Sequence, residues 1–474
     1  MFEYFLKNLE KVFNAEEVKL ITKAYEFASK AHQGQKRKSG EPYIIHPLHV
    51  AYILFNDFQL HDANAIAAAF LHDTIEDTDV TFEDIETNFN RDIANLVLGV
   101  TDSSNIVFNS KTEEERFNNA SILRNMMSDY RIIYIKLADR LHNMTTLEYQ
   151  KAEKRISKAE QTLAFYVPMA YGIGASKAAQ KIEDLCFQYL HPDDYNKLNK
   201  MKQAYEEAHC KDFECILNGF KDLLNQKDIN MCMKNMAGIY NHMKGTDELT
   251  TFPGLIELQI AVDTKEECFR VVQLLKKNYP FDSKSIINHI AKARYDGYRG
   301  FSIMLTNVCG MPVSVEVYTH DMKNTNDYGF AIRANRLREK SVPKIQESIS
   351  NGSGFMTTLS ELGKYYGNDS NVLMHQVENE LLSDNIRVYT PAGDAITLPK
   401  GATVLDFAYR IHTNLGNNAI GAYVNNNLTS LDFTLQDNDS IRIIKDSEVR
   451  RDVSDVNKVV TTRARRMIEK YAKK

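Results

Sequence analysis

Apolar side chains recur at spacings of three and four through "EEVKLITKAYEFASKAH" and "ERFNNASILRNMMSDYRIIYIKLADRLHNM", with few glycines or prolines between them. That period predicts amphipathic helices, and from Ala15 to about Leu190 the pattern reads as one all-α domain. "HPDDYNKLNK" restarts a helix after His191-Pro192, and polar helical text runs to about Gly219. Beyond it, "LIELQIAV" and "FSIMLTNVCGMPVSVEVYT" read as strands with "KEECFRVVQLLKKNY" as a helix between them, an α+β domain. Ser341 to Asp384 holds "SNGSG" and "YYGNDSN", a linker composition around a short helix. The text from Ile386 onward then gives strand, Pro-Ala-Gly-Asp turn, strand, helix and two strands divided by Asn-rich turns, enough for a compact module of about 60 residues. The expected division is 1–195, 196–340, a linker over 341–384, 385–447, and a basic tail over 448–474.

Composition changes this picture little. A chain of 474 residues with 43% hydrophobic and 26% charged residues is ordinary for a soluble multidomain protein. The first twenty residues mix charge throughout and no run of about 18 apolar residues occurs, so no membrane association is expected and a cytoplasmic location is. The six cysteines, Cys186, Cys210, Cys215, Cys232, Cys268 and Cys309, form no CxxC pair and read as free thiols. A net charge of −5 argues against general polyanion binding. The tail from Val449 to Lys474, with nine Lys or Arg against three acids, reads as a solvated basic helix that could touch phosphates.

Chemistry concentrates in "FLHDTIEDTD", Phe70 to Asp79, where one imidazole and four carboxylates follow the apolar "AIAAA". On a helix, His72 with Glu76 and Asp73 with Asp77 are four apart and lie on one side. Convergent buried carboxylates need a cation, and His beside Asp favours manganese, zinc or iron over calcium. Asp139 and Asn143 of "IKLADRLHNM" are likewise four apart, and His46 of "YIIHPL" precedes Pro47 at a helix start. Taken singly, Asp77 and Asp79 also fit a solvated turn and His46 a structural role; jointly His46, His72, Asp73 and Asp139 read as a metal shell.

The wording around these residues carries a resemblance. His46, His72-Asp73 and Asp139 look like the ligands of HD phosphohydrolases. "AHQGQKRKSGEPYIIHP", "AAAFLHDTIEDT" and "IKLADRLHNM" resemble the hydrolase domain of the RelA/SpoT homologue family, which makes and degrades the alarmones ppGpp and pppGpp. The resemblance implies an all-α HD-type hydrolase over 1–195 that holds Mn2+ and removes the 3′-pyrophosphate to leave GDP or GTP. It implies that Glu76 and Asp77 activate or orient water, that Arg37 and Lys38 contact guanine and phosphates, and that Asn143 reaches the ribose. Thr145 stands where many relatives carry Arg.

The 196–340 segment resembles the family's nucleotidyltransferase-like synthetase with its chemistry thinned. "PGLIELQIAV" puts Gly254 at the magnesium-binding Asp and Gln259 at a following Arg; "DGYRGFS" keeps Gly297 and Tyr298 of the substrate loop but not its His; "EVYTHDM" keeps Glu316. The implied domain is a catalytically inactive pseudosynthetase in which Tyr298 is either a structural residue or a guanine platform of regulatory use. "VYTPAGDAITLPKGATVLDFAYRIHTNLG" is similar to the β-grasp TGS domain over 385–447, where His412 matches a position that reads the end of deacylated tRNA and equally fits a helix cap. The helical, zinc-finger-like and ACT-like segments of long relatives have no counterpart here, so stable ribosome docking is not expected. The whole reading is a hydrolase of (p)ppGpp. The alternatives are a nucleotide- or tRNA-sensing binding protein with the hydrolase off, and an HD hydrolase of another phosphorylated nucleotide.

Overall fold

The computed structural model describes all residues except 102–109, 226–227, 244–247, 292, 384, 450 and 473–474. Asp384, the expected end of the linker, and Arg450, Lys473 and Lys474 of the tail therefore lie outside the described residues. The chain divides into two compact units, Met1–Ser104 with Asp129–Ser353, and Asn105–Ser128 with Gly354–Lys474.

The first unit begins as an all-helical bundle. Helix Ala63–Leu71 lies at its centre, with every residue from Ala65 to Leu71 buried. Ala65, Ala67, Ala68 and Ala69 let helices Ala15–Ala31, Ile45–Asn56 and Arg91–Val100 approach it closely. Side-chain caps fix where the helices start: Asn14 and Glu17 form a capping box, Asp62 accepts from the Ala65 amide at 2.8 Å, and Asn90 accepts from Ile93 at 2.8 Å. Where the sequence shows one continuous helical stretch from Glu115 to Met144, two helices form, Lys111–Ser128 and Arg131–Thr145.

The turn between those two helices contains an electrostatic knot. Arg131 is 1% exposed, and its guanidinium meets Asp129 at 2.6 Å, Asp92 at 2.7 Å and Asp62 at 3.3 Å. One cation thus ties the starts of helices Ala63–Leu71, Arg91–Val100 and Arg131–Thr145.

The α+β part of this unit is a five-stranded sheet ordered β1-β2-β5-β4-β3. Its strands are β1 (Asp228–Met233), β2 (Ile256–Val262), β3 (Ile287–Asn288), β4 (Phe301–Val308) and β5 (Met311–Thr319). β2 and β5 run parallel, in register at Gln259 and Glu316, and the remaining pairs are antiparallel. Helix Lys265–Asn278 places Cys268, Val271, Val272 and Leu275 into the sheet's core. Cys215 and Cys309, 94 residues apart, form a disulfide, which corrects the expectation of free thiols throughout; Cys186, Cys210, Cys232 and Cys268 remain thiols.

The sheet region is fastened to the bundle by backbone groups. The Tyr134 hydroxyl donates to the Tyr328 carbonyl at 3.2 Å and accepts from the Ala331 amide at 2.9 Å. Asn335 accepts from the His61 amide and donates to the Gln59 carbonyl. Gly329, at φ +68°, lies against the Ile173 carbonyl so closely that a Cβ would collide with it.

The second unit contains helix Lys111–Ser128 packed with helices Gly354–Tyr366 and Ser370–Val377, where Arg116 meets Glu378 at 3.1 Å and Arg124 donates to the Ser370 hydroxyl at 3.0 Å. With helix Val342–Gly352 in the first unit, the span expected to be a linker around one short helix is three helices, because Ile345, Ile349, Phe355, Leu359, Leu362 and Leu373 supply buried faces. The C-terminal module pairs β6 (Asn385–Tyr389) with β7 (Ala395–Pro399), and orders β10-β8-β9 from β8 (Ala419–Val424), β9 (Asn427–Thr429) and β10 (Ile441–Lys445) around helix Val404–Ile411.

The basic tail is docked rather than solvated. Helix Thr462–Ala472 buries Ala464 and Ile468, Asp406 accepts from the Val460 and Thr461 amides at 3.0 Å, and Glu380 accepts from the Thr462 amide at 2.9 Å.

Two stability measurements check this account. Arg131→Met leaves three carboxylates around an apolar side chain, and urea unfolding is expected to show a loss of about 2–4 kcal/mol, below the value for a fully buried pair because the acids keep some water. Burial pushes the Glu380 carboxyl up to about 7 from 4.5. Its folded value exceeds its unfolded one, so the stabilisation is complete below pH 4.5 and is lost as pH rises to about 7. Glu380→Gln is expected to abolish that decline, gaining about 1–3 kcal/mol on the wild type between pH 4.5 and pH 8.

Candidate metal centre

His46 is the second residue of helix Ile45–Asn56, with Pro47 behind it in the first turn, where the missing amide leaves no hydrogen bond unmade. His72 and Asp73 do not continue the alanine helix: it ends at Leu71, and a single new turn, Thr74–Asp77, starts after them. That break sends both side chains inward. The fourth group, Asp139, comes from the middle of helix Arg131–Thr145, which carries the buried stretch Ile132 to Ala138.

His46, His72 and Asp139 meet closely enough to share one ion, and Asp73 lies against both imidazoles. His46 Nε2 lies 3.2 Å from His72 Nε2, 3.4 Å from Asp73 Oδ2 and 3.2 Å from Asp139 Oδ1. His72 Nε2 lies 3.1 Å from Asp73 Oδ1 and 3.8 Å from Asp139 Oδ1. Metal bonds of about 2.0–2.2 Å set neighbouring ligand atoms about 3.0–3.5 Å apart, so this donor set fits a divalent cation. The outer nitrogens agree. His72 Nδ1 donates to the Ala69 carbonyl at 2.9 Å, which directs Nε2 at the cluster.

His142, which the sequence reading passed over, stands directly behind His46, Nδ1 to Nδ1 at 2.7 Å, and stacks on His49 at 4.8 Å. Burial, then the neighbouring His46, His49 and Arg37, push His142 down to about 2, so it is a neutral acceptor for the His46 Nδ1–H. Burial lowers His46 as well. At His72 burial also acts downward, but Asp73 and Asp139 outweigh it and raise the ring to about 9. The field at Nε2 is therefore strongly negative and favours a positive charge there.

The expected catalytic and binding residues surround this cluster unequally. Asp77 is tied in by Tyr43, whose hydroxyl lies 2.7 Å from Asp73 Oδ2 and 2.6 Å from Asp77 Oδ2. Tyr43 was not anticipated, although its position three residues before His46 places it on the same approach. Glu76 is exposed on the turn Thr74–Asp77. Asn143 donates to Asp139 Oδ1 at 2.6 Å and accepts from Arg37 Nη2 at 3.2 Å, so it holds a cluster carboxylate as well as facing the basic loop. Lys38 donates to Gln150 at 2.6 Å.

The two other singled-out residues lie elsewhere. Tyr298 sits in the sheet region with the Arg294 guanidinium 4.6 Å from its ring centroid, beside Glu316, which burial and then Glu257 raise to about 7. His412 is exposed at the end of helix Val404–Ile411 and caps the next helix, its Nδ1 accepting from the Asn414 amide at 3.2 Å.

Tyr43→Phe removes one hydroxyl that holds Asp73 and Asp77 together. Calorimetric titration of the metal-stripped protein with divalent manganese is expected to show affinity reduced roughly 10–100-fold, with the fold unchanged by circular dichroism.

Residues 24–175 match the HD domain family and residues 386–445 the TGS domain family. A Vibrio cholerae protein named guanosine-3′,5′-bis(diphosphate) 3′-pyrophosphohydrolase is 33% identical over 99% of this chain and 67% of its own length. The bifunctional (p)ppGpp synthase/hydrolase SpoT of Escherichia coli K12 is 31% identical over 100% of this chain and 67% of its own. The chain thus spans about two thirds of these relatives' length. A solved structure titled as a metazoan ortholog of SpoT that hydrolyzes ppGpp is 28% identical over 35% of this chain and 85% of its own, with a TM-score of 0.26. An HD domain implies a divalent metal, and the chain belongs to the RelA/SpoT homologue family.

Proposed function

We propose that this protein is a metal-dependent 3′-pyrophosphohydrolase of ppGpp and pppGpp, with manganese as the ion. The observation that carries this reading is the convergence of His46, His72 and Asp139, with Asp73 against both imidazoles, near a loop that carries Arg37 and Lys38.

Bound there, a divalent ion supplies Lewis acidity toward a phosphoryl oxygen and lowers the pKa of water. The chain's own groups do the rest. Asp77, kept beside Asp73 by Tyr43, accepts the proton of the attacking water, with Glu76 on the same turn orienting it. Water oxygen bonds to the phosphorus attached to the ribose 3′-oxygen, that P–O bond breaks, the 3′-oxygen takes a proton, and pyrophosphate leaves. Arg37 and Lys38 neutralise the polyphosphate, and Arg37 also orders Asn143, which contacts the ribose.

The sheet region serves as a pseudosynthetase. Gln259 occupies itself with Glu257 at 2.8 Å, Gly254 offers no ligand, and Glu316 is set against Glu257, Tyr298 and Arg294. Pyrophosphate transfer there lacks the electrostatic stabilisation it needs. The TGS module leaves the exposed ring of His412 available for the end of a deacylated tRNA, with Nδ1 committed to capping. No described helix is long and apolar enough to cross a membrane, and we place the protein in the cytoplasm.

The test is turnover of ppGpp by the full chain. With manganese, release of GDP and pyrophosphate is expected; Asp73→Ala is expected to abolish it, and Asp77→Asn to slow it roughly 10²–10⁴-fold. ATP with GDP is expected to give no product. Manganese-independent turnover, or full activity in Asp73→Ala, overturns the reading.

A further inference from the structure

Helix His320–Tyr328, the loop over 296–299 and the contact of Gly329 with Ile173 line a cavity of about 320 Å³, whose charged groups the site above does not use. Its wall carries Lys265, Arg299, Arg333 and Arg336 against Asp296 and Asp321. Both acids are already engaged: Asp296 by Arg294 at 2.6 Å, and Asp321 by Arg336. Arg299 and Arg333 have no carboxylate partner among the described residues. Arg299 donates from Nη1 to the Ile290 carbonyl at 2.8 Å, and Arg333 from Nη1 to the Ser348 carbonyl at 2.8 Å, so each retains further N–H groups. Lys265, Arg299 and Arg333 thus leave an uncompensated charge of roughly +3 around a space of ligand size. Burial, then Arg299 and Arg336, hold Arg333 below the usual arginine value, a sign that the guanidiniums repel one another.

The arrangement is built. Asn326, 9% exposed, clamps the peptide of Arg299 from both sides, its Oδ1 accepting from the Arg299 amide at 2.9 Å and its Nδ2 donating to the Arg299 carbonyl at 2.8 Å. Asn326 is itself fixed, its carbonyl accepting from the Ser176 hydroxyl at 2.7 Å. Tyr298, the preceding residue, belongs with Glu316 on the sheet's polar face. On helix His320–Tyr328, Lys323 reaches Gln259 of that same polar face, whereas Asp321, Met322 and Thr325, grouped on another side of the helix, line the cavity. The two faces are separate sites.

We propose that this cavity binds an oligophosphate, either free pyrophosphate or the diphosphate of a nucleotide, on Arg299, Arg333 and Lys265. Its diphosphate carries about three negative charges near neutral pH, which matches the excess charge of the wall, and paired guanidiniums suit bidentate phosphate oxygens.

The experiment titrates the full chain with pyrophosphate, with GDP and with orthophosphate, in chelator so that the metal centre holds no ion, and reads binding by calorimetry at fixed ionic strength. Saturable binding of pyrophosphate or GDP is expected, stronger than that of orthophosphate. Pyrophosphate binding as tight as GDP assigns the free anion, and binding of GDP alone assigns the nucleotide. Arg299→Gln and Arg333→Gln are each expected to weaken it about tenfold or more. Arg270→Gln, on the exposed side of helix Lys265–Asn278, is expected to change nothing. Lys265→Gln, an exposed side chain, keeps the test decisive if the arginine variants do not fold, with a severalfold loss expected. Absence of saturable binding at millimolar concentrations, or equal affinity in the foldable variants, overturns the proposal without touching the hydrolase reading, since no metal takes part.

Discussion

Two imidazoles packed 3.1–3.8 Å from two carboxylates in the helical bundle are stable only with positive charge among them, and the first unit is organised around that requirement. The pocket draws its groups from three places: a helix start, a helix break and a helix middle. Each is braced from outside, His46 by His142, His72 by a backbone carbonyl, Asp73 by Tyr43 and Asp139 by Asn143. The bracing groups are polar and almost wholly committed, so the donors hold their aim against mutual repulsion. A second knot of charge, Arg131 with its three aspartates, fixes the starts of the helices that deliver His72 and Asp139. Fold and site thus depend on one kind of interaction, charge neutralised at close range in a low-dielectric interior.

Much of this was legible in the sequence, for reasons that differ by residue. His46, His72, Asp73 and Asp139 could be picked out because apolar helical text makes a buried His or Asp conspicuous. The strands "LIELQIAV" and "PVSVEVYT" and the helix between them follow from their periods. What escaped was whatever depends on how separate elements lie against one another. His142 lies three residues from Asp139 in plain view, yet its role exists only because His49 and His46 come from another helix. Tyr43 bridges Asp73 and Asp77 across 30 and 34 residues of chain. The break after Leu71 was hidden as well, since nothing in "FLHDTIEDT" is a helix breaker; the inward pull on His72 and Asp73 decides it.

Composition misled at two places. Gly and Ser in "SNGSG" read as linker, but the surrounding Ile345, Ile349, Phe355 and Leu359 find partners, and the stretch is only a one-residue break at Ser353 between two helices. The basic tail reads as solvated because charge dominates it, while its few apolar residues, Ala464 and Ile468, secure it to the β-grasp module. The disulfide between Cys215 and Cys309 joins positions 94 apart, a separation no spacing rule reaches.

The second unit is discontinuous, and that has a cost in time. Helix Lys111–Ser128 buries Ala120, Ile122, Leu123 and Met126, yet the helices that cover them, Gly354–Tyr366 and Ser370–Val377, are more than two hundred residues further along the chain. At about 5–20 residues per second of synthesis, that apolar stripe stays uncovered for roughly ten seconds or more while the intervening sheet is made. During translation the first unit is therefore largely made while a helix inserted in its sequence still lacks the apolar cover that its own unit supplies last.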